Sequence, residues 1–206
     1  MYLAIAGNIG SGKSSLTGLL SQRYGLKPVY EAVDENPYLA DFYERMDLYG
    51  FHSQIFFLAR RLKQHLNQVN PGQHVVQDRT VYEDAAVFAT NLHRQGIMTD
   101  RDFHSYWDLF EAVSLALRPP DLLVYLQADL AKLRQQIRLR GREFETDISD
   151  EYLTQLHVLY EEWIAGYDAS KVLIIQSSDL DFVNDPSDRE YVFSLLEQHG
   201  LSTPIL

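Results

Sequence analysis

The first fifteen residues constrain the fold of this chain more than any other stretch. An apolar run from Tyr2 to Ala6 breaks into glycines, and Gly7 to Ser14 then follows the pattern G-x-x-x-x-G-K-S. The apolar run is typical of a buried strand, and Lys13 to Tyr24 has the pattern of a helix. A strand, a glycine-rich loop and a helix in this order predict a phosphate-binding loop rather than a turn that binds nothing.

The residue types of this loop suit a nucleoside triphosphate. Glycines allow the backbone angles that bring N–H groups close to phosphate oxygens at the positive end of a helix. Lys13 would reach the outer phosphates, and the Ser14 hydroxyl would bind Mg²⁺. The predicted cofactor-binding residues of the loop are Gly7, Asn8, Ile9, Gly10, Ser11, Gly12, Lys13, Ser14 and Ser15.

Composition excludes several classes of protein. The chain has 206 residues, 46% of them hydrophobic, which predicts a single domain over 1–206 with a full core. No stretch is apolar enough to span a membrane, and we see no secretory signal before the first strand. The chain has no cysteine, so disulfides and cysteine metal sites are excluded, and we expect a cytoplasmic location. The net charge of −11 argues against a nucleic-acid binder.

Strand patterns alternate with helix patterns along the rest of the chain, which predicts an α/β fold with a parallel sheet covered on both faces. Gly50 is expected to separate two helices. The five predicted strands are Tyr2–Ala6, Leu26–Glu31, His74–Asp78, Leu122–Leu126 and Lys171–Ile175. The predicted helices are Lys13–Tyr24, Tyr38–Tyr43, Phe51–Val69, Val81–His93, Asp100–Leu117, one from the cap Asp129 to Leu139, Ser149–Ala169 and a last one ending at His199.

Two predicted strands end on a carboxylate, Glu31 and Asp78. Ligands of parallel sheets lie beyond the carboxyl ends of the strands, which is also where the phosphate loop lies. Glu31 is therefore a candidate general base for an attacking hydroxyl, and Asp78 a candidate Mg²⁺ ligand beside Arg79. Taken alone, the same residues would suit a solvated strand end and a surface ion pair.

Positive charge gathers late in the chain, at Arg134, Arg138, Arg140 and Arg142. A run of charge on a helix is usually a solvated face. Here Arg140-Gly141-Arg142 falls at a helix break, which indicates a mobile flap over about residues 139–149 that brings guanidinium groups onto a transferring phosphoryl group.

These motifs, in this order and spacing, resemble the deoxyribonucleoside kinases of the deoxycytidine, deoxyguanosine and deoxyadenosine kinase group. The likeness covers most of the chain, from Met1 to about Trp163, and implies the fold of phosphate-loop NTPases. A later loop with Asp181 and Phe182 is similar to the adenine-contacting loop of that family. The motifs that carry the likeness are Glu31, Gln54, Arg61, Asp78-Arg79-Thr80, Asp84 and Arg140-Gly141-Arg142 with Glu145.

The resemblance implies a role for each matching residue. Glu31 is the general base, Arg79 supports it, and Tyr43 and Glu145 hold the 3′-hydroxyl of the sugar. Gln54, Arg61 and Asp84 read the base, on which Phe88 stacks. The implied nucleoside-binding residues are Glu31, Tyr43, Gln54, Arg61, Asp78, Arg79, Asp84, Phe88 and Glu145.

Chemistry supports this assignment only in part. A glutamine amide pairs in both directions with adenine or cytosine. Without the resemblance, plain packing on amphipathic helices would explain Tyr43, Gln54 and Phe88 equally well. One departure from the family stands out: Gln136 occupies a position where relatives commonly carry an arginine. Arg138 cannot replace it, because two residues along a helix point about 200° apart.

The sequence therefore predicts an ATP-dependent deoxynucleoside kinase of nucleotide salvage that uses Mg²⁺ at Ser14 and Asp78. Deoxyadenosine is the favoured substrate, with deoxyguanosine and deoxycytidine open. The resemblance implies a homodimer, with helices between Val81 and Leu117 as a possible interface. A nucleoside monophosphate kinase and a non-catalytic nucleotide-binding protein remain alternatives. The predicted catalytic residues are Lys13, Glu31, Arg79, Arg140 and Arg142.

Overall fold

Five parallel strands form one sheet in the order β2-β3-β1-β4-β5. The computed structural model describes residues 1–31, 36–142, 145 and 148–202. All five predicted strands are present, so the predicted α/β fold with a five-stranded parallel sheet is confirmed. The strands are β1 (Tyr2–Gly7), β2 (Lys27–Val29), β3 (Val75–Asp78), β4 (Leu122–Gln127) and β5 (Lys171–Gln176).

Helices cover both faces of this sheet. Two π-helical segments extend them: His65–Val69 continues α3, and Asp84–Ala89 joins α4 to α5. The helices are α1 (Lys13–Tyr24), α2 (Leu39–Glu44), α3 (Met46–Gln64), α4 (Val81–Glu83), α5 (Thr90–Arg94), α6 (Asp100–Ser114), α7 (Leu130–Arg140), α8 (Asp150–Ala165) and α9 (Pro186–Gln198).

The central strand β1 divides the interior into two cores. Its side chains alternate between faces, and all of its residues are buried. Tyr2 and Ala4 belong to the core that also contains residues of α3 and α8. Leu3 and Ile5 belong to the core that contains residues of α1 and α9. Both faces of β1 are thereby packed, and the phosphate loop leaves the carboxyl end of a fully buried strand.

Gly50 is not the helix boundary that the sequence predicts. Helix α3 begins at Met46 and runs through Gly50, and the break lies at Arg45, where the backbone leaves the helical conformation. A Cβ atom on Gly50 would lie 3.2 Å from Cγ2 of Ile97 and 3.4 Å from Cδ1 of Leu92. The glycine therefore provides room for close packing inside the helix, and does not end it.

Three other elements end earlier than predicted, among them helix α6, which ends at Ser114 and not at Leu117. Strand β2 ends at Val29, so Glu31 lies two residues beyond the strand. Helix α8 ends at Ala165, where Gly166 follows, and not at Ala169. Within the described residues, no helix has the length and apolar character needed to cross a membrane.

Candidate active site

The predicted phosphate loop connects β1 to α1. Gly12 has a φ of 95°, in the left-handed region, and a Cβ atom there would lie 2.9 Å from Cζ of Phe182. Gly10, with a φ of 84°, is equally confined, because a Cβ atom would lie 2.8 Å from the carbonyl oxygen of Leu133. Both the backbone angle and the lack of space require glycine at these positions.

Lys13 lies folded back onto this loop. Its Nζ donates hydrogen bonds of 2.9 Å to the carbonyl oxygens of Gly7 and of Asn8. Burial, and then the positive charge of Arg79, lower the pKa of Lys13 to about 8, although nearby carboxylates oppose the shift. The ammonium group is thus held at the loop, where a negatively charged group close to it would stabilise its charged form.

Ser14 and Asp78 form a pair of oxygen ligands that fits Mg²⁺. The Ser14 hydroxyl donates to Oδ2 of Asp78 at 2.5 Å, and the buried Oδ1 of Asp78 has no hydrogen-bond partner among the described residues. A buried carboxylate oxygen without a donor suits a cation. No group of three or more His, Cys, Asp or Glu side chains in the described part of the chain could hold a metal ion by itself. Phosphate oxygens and water would therefore complete the coordination.

Glu31 lies between two guanidinium groups. Its Oε1 accepts a hydrogen bond of 3.0 Å from Nη2 of Arg61, and its Oε2 accepts one of 3.1 Å from Nε of Arg79. Burial alone would raise the pKa of this carboxyl, but the charges of Arg79, Arg61 and Lys13 outweigh burial and hold the pKa well below its usual range. Glu31 is therefore ionised at physiological pH.

Arg61 connects Glu31 to the side chains predicted to read the base. Its Nε pairs with Oδ2 of Asp84, and both side chains are buried. Burial raises the pKa of Asp84 to about 6, against the opposing charge of Arg61. Gln54 is also buried, and its amide oxygen has no hydrogen-bond partner among the described residues. The Phe88 ring lies 4.4 Å from the guanidinium carbon of Arg79.

One cavity of about 610 Å³ joins the two parts of the site. It is lined by part of the phosphate loop and by all nine predicted nucleoside-binding residues. The predicted residues in its lining are Ile9, Gly10, Gly12, Lys13, Ser14, Ser15, Glu31, Tyr43, Gln54, Arg61, Asp78, Arg79, Asp84, Phe88, Arg140, Arg142 and Glu145. The side chains predicted to bind the donor and those predicted to bind the acceptor therefore share one continuous space.

Three predicted loop residues lie outside the cavity lining and support the loop instead. The backbone N–H of Gly7 donates to Glu83, and Nδ2 of Asn8 donates to the Leu153 carbonyl oxygen at 2.9 Å. Ser11 is buried, and its Oγ would be 2.5 Å from a Cβ atom on Gly7.

Only part of the arginine cluster reaches the site. Arg140 and Arg142 line the cavity, and both pair with the buried Glu145. Arg134 instead pairs with Asp150 at the start of α8, and Arg138 is exposed outside the cavity lining. Gln136 lines the cavity in the position noted above. Residues 143, 144, 146 and 147 of the predicted flap lie outside the described residues.

The predicted adenine-contacting residues also lie outside the lining of this cavity. Phe182 is buried and packs against Gly12. The exposed Asp181 accepts hydrogen bonds of 3.1 Å from the backbone N–H and the amide of Asn184. Their contact with adenine stays a prediction.

Sequence reasoning missed Glu83 and Tyr160, which touch Arg79 from behind the cavity. Nη1 of Arg79 donates to the Tyr160 hydroxyl at 2.8 Å and lies 3.9 Å from Oε2 of Glu83. The spacing Thr80-x-x-Glu83 is a helix capping box, and the structure confirms both of its hydrogen bonds. That signal could have identified Glu83, whereas Tyr160 carries no comparable local signal.

Comparison with known proteins agrees with this geometry. Residues 3–199 match the deoxynucleoside kinase family. The chain is 40% identical over 192 residues to a deoxyadenosine/deoxycytidine kinase of Bacillus subtilis strain 168, which covers 92% of this chain and 88% of that protein. It is 34% identical over 205 residues to a deoxyadenosine kinase of Lactobacillus acidophilus, covering 95% of this chain and 94% of the relative.

A solved structure is similar over nearly the whole chain. It is a deoxyadenosine kinase from M. mycoides with bound dATP, with a TM-score of 0.84 and 29% identity, covering 96% of this chain and 99% of that one. The fold is thus that of a phosphate-loop kinase. The chain belongs to the deoxynucleoside kinase family, a group of phosphotransferases whose acceptor is a nucleoside hydroxyl, and the resemblance seen in the sequence is confirmed.

The lowered pKa of Lys13 predicts a pH dependence of nucleotide binding. A triphosphate favours the charged ammonium, so binding near and above pH 8 should take up a proton, and the affinity for ATP should fall as the pH rises from about 7 to about 9. Calorimetry in buffers of different ionisation enthalpy measures the uptake. The Lys13→Met variant should bind ATP more weakly and lose the uptake. Equal proton uptake in both proteins would contradict the assignment.

Proposed function

We propose that this kinase transfers the γ-phosphoryl group of ATP to the 5′-hydroxyl of deoxyadenosine, with deoxyguanosine and deoxycytidine as other possible acceptors. The observation that carries the proposal is the single cavity that has Lys13 and Ser14 on one side and Glu31 on the other. The loop side would hold the triphosphate, which places the acceptor hydroxyl next to Glu31.

The acceptor side of the cavity suits an uncharged nucleoside. Its two buried guanidinium groups, those of Arg61 and Arg79, already pair with Glu31, and Arg61 also pairs with Asp84. A nucleoside monophosphate kinase needs guanidinium groups that grip an acceptor phosphate. On this side of the cavity the guanidinium groups are engaged by carboxylates, which favours a nucleoside over a nucleoside monophosphate.

Gln54 favours adenine or cytosine as the base of the acceptor. Its buried amide oxygen has no partner among the described residues and belongs to a residue that lines the cavity. An amide presents a donor and an acceptor side by side, and adenine or cytosine can satisfy both. The Bacillus subtilis relative is a deoxyadenosine/deoxycytidine kinase, and the similar M. mycoides structure contains dATP. Gln54 does not separate the two bases, so the choice of adenine first rests on the relatives that are deoxyadenosine kinases.

The proposed mechanism relies on positioning and on electrostatic stabilisation. Lys13 and the loop hold the donor phosphates, with Ser14 and Asp78 as ligands for Mg²⁺, which would offset phosphate charge when bound. Glu31 accepts the hydrogen bond of the 5′-hydroxyl and takes its proton. Since its pKa is well below the usual range, it is a weak base, which suits a loose transition state with little demand for an early proton transfer.

The arginines complete the proposed site. Arg79 holds Glu31 in place, and Arg140 and Arg142 would stabilise the charge of the transferring group. In the described structure both flap arginines pair with Glu145, the residue that the resemblance assigns to the 3′-hydroxyl. Tyr43 lines the same part of the cavity and is its proposed companion.

Replacement of Glu31 by glutamine tests the proposed base. The Glu31→Gln variant should retain ATP binding, because the phosphate loop is unchanged, and should lose about two to four decades of turnover. Isothermal titration with ATP and a steady-state assay with deoxyadenosine measure the two quantities. Glu44→Gln, on the exposed end of α2, is the matched control and should keep full activity. Undiminished turnover of Glu31→Gln would refute the assignment.

A substrate panel tests the proposed acceptor. The four deoxynucleosides and their monophosphates are assayed with radiolabelled ATP, and deoxyadenosine should give the highest kcat/KM. The double variant Arg61→Met, Asp84→Ala should lose about tenfold or more of that value, because it removes a buried pair beside the base. A wild type that prefers thymidine would contradict the base-reading set, and one that prefers a monophosphate would support the alternative class of kinase.

We also propose that the chain is a single domain that acts as a homodimer in the cytoplasm. Helix α6 supports the dimer, because Tyr106 is its only fully buried residue, while Leu109 is 44% exposed and Leu115, just after the helix, is 90% exposed. A contiguous apolar patch is typical of a surface that a partner covers, and we propose that these two leucines belong to one.

Substitution of exposed leucines by glutamate at this surface tests the proposed dimer. Leu109→Glu with Leu115→Glu should convert the dimer to a monomer, because burying two carboxylates in an apolar interface is unfavourable. Sedimentation velocity measures the mass of each species. Val183→Glu, at a similarly exposed apolar residue in the loop before α9, is the control and should remain dimeric. A monomeric wild type would contradict the proposal.

A further inference from the structure

Two buried side chains behind the cavity meet at Arg79. The hydroxyl of Tyr160, on α8, accepts a hydrogen bond of 2.8 Å from Nη1 of Arg79 and donates one of 2.8 Å to Oε2 of Glu83. Both Tyr160 and Glu83 are fully buried, and neither lines the cavity. A phenol hydroxyl has one proton, and here it donates that proton to Glu83 while its oxygen accepts a hydrogen bond from Arg79.

The Glu83 carboxylate connects this contact to the phosphate loop. Its Oε2 accepts a hydrogen bond of 3.3 Å from the backbone N–H of Gly7, the first residue of the loop. Its Oε1 accepts one of 2.8 Å from the backbone N–H of Thr80, the residue after Arg79. The carbonyl oxygen of Gly7 in turn accepts from Nζ of Lys13. One carboxylate is therefore in contact with the start of the donor site and with the chain next to Arg79.

Arg79 itself has a backbone conformation that needs support. Its φ is 65°, and among the described residues it is the only non-glycine residue with a positive φ. Such a conformation persists only where the surroundings hold it. The backbone N–H donates to the Ile5 carbonyl oxygen at 3.0 Å, the ring of Phe88 covers the guanidinium group, and Tyr160 binds Nη1. Tyr160 thus sets the rotation of the guanidinium whose Nε binds Glu31.

We propose that Tyr160 and Glu83 are positioning residues of the kinase. Together they hold the Arg79 guanidinium against Glu31 and fix its distance from the phosphate loop that carries Lys13. This inference rests on the function proposed above, in which Glu31 and Arg79 act at the acceptor hydroxyl. A tyrosine that only filled the core would affect stability and would have no specific effect on the chemical step.

The Tyr160→Phe variant separates these possibilities. It removes the hydroxyl and keeps the ring, which stacks on Tyr125 at 5.7 Å. We expect kcat for deoxyadenosine to fall about tenfold or more, because a hydrogen bond to a charged group is lost, while the KM values change much less. Tyr125→Phe is the matched control, since that buried hydroxyl donates to Glu161 at 2.9 Å. It should keep its kcat within about twofold.

A double-mutant cycle tests whether Tyr160 acts through Arg79. In an Arg79→Lys background the added Tyr160→Phe change should have little further effect on kcat, because the guanidinium that it positions is already gone. Equal effects in both backgrounds, or the same kcat for Tyr160→Phe and Tyr125→Phe, would overturn the proposal. Thermal unfolding of each variant shows how much folded enzyme the assay contains.

A second variant, at Glu83, tests the same hydrogen-bond network of Tyr160, Glu83 and Arg79. Glu83→Gln keeps an oxygen for the Thr80 N–H and removes the charge. We expect a similar loss of kcat that is not additive with Tyr160→Phe, and additive losses would contradict the proposed unit. The Glu31→Gln measurement separates the proposed function from the positioning role. Full turnover of Glu31→Gln would refute the proposed base. Additive effects of Tyr160→Phe and Arg79→Lys would refute only the positioning role.

Discussion

The carboxylate of Glu31, held between two buried guanidinium groups, is the interaction on which the candidate active site depends. Arg61 comes from α3 and Arg79 follows β3, and both are almost fully buried. Buried charges are costly unless they are paired, so the two arginines can stay close together only with negative charge between them. The formal charges of the buried cations Lys13, Arg61 and Arg79 are matched by those of Glu31, Glu83 and Asp84. The carboxylate of Asp78 is a further negative charge that none of these three cations balances. A divalent cation beside Asp78 would balance it.

The sheet and one irregular helix bring these charges together. The carboxyl ends of β1 and β3 lie side by side, which places the phosphate loop beside Asp78 and Arg79. The π-helical segment Asp84–Ala89 then carries two side chains, Asp84 and Phe88, that line the cavity. A π-helical turn is a rare departure from the α-helix, and it occurs often at functional sites. One of the two π-helical segments thus lies next to the cavity, beside strands β1 and β3, which are fully buried.

Local patterns predicted the fold well and the supporting contacts poorly. The five strands and the phosphate loop follow from short-range periodicity and glycine spacing, whereas the nine nucleoside-binding residues, which line one cavity, are implied only by the family resemblance. The sequence wrongly predicts a helix boundary at Gly50, because one sequence does not distinguish a glycine that ends a helix from one that allows close packing. Tyr160 was missed because it lies far from Arg79 along the chain, and only the fold brings the two into contact. The positions of Arg134 and Phe182 likewise depend on tertiary partners, Asp150 and Gly12.

The left-handed backbone of Arg79 has a consequence for how this site can change. A left-handed residue other than glycine costs about 1 to 3 kcal/mol, so backbone strain alone would favour glycine at position 79. Removing one partner of a buried ion pair costs about 3 to 5 kcal/mol, because the remaining charge is left unpaired. The second quantity is the larger, and it applies to Glu83, which would lose the positive charge 3.9 Å away, whereas Glu31 would keep its pair with Arg61. At this position the ion pairs therefore favour arginine more than the backbone strain disfavours it, so the residue proposed to position Glu31 is also the one that stability favours.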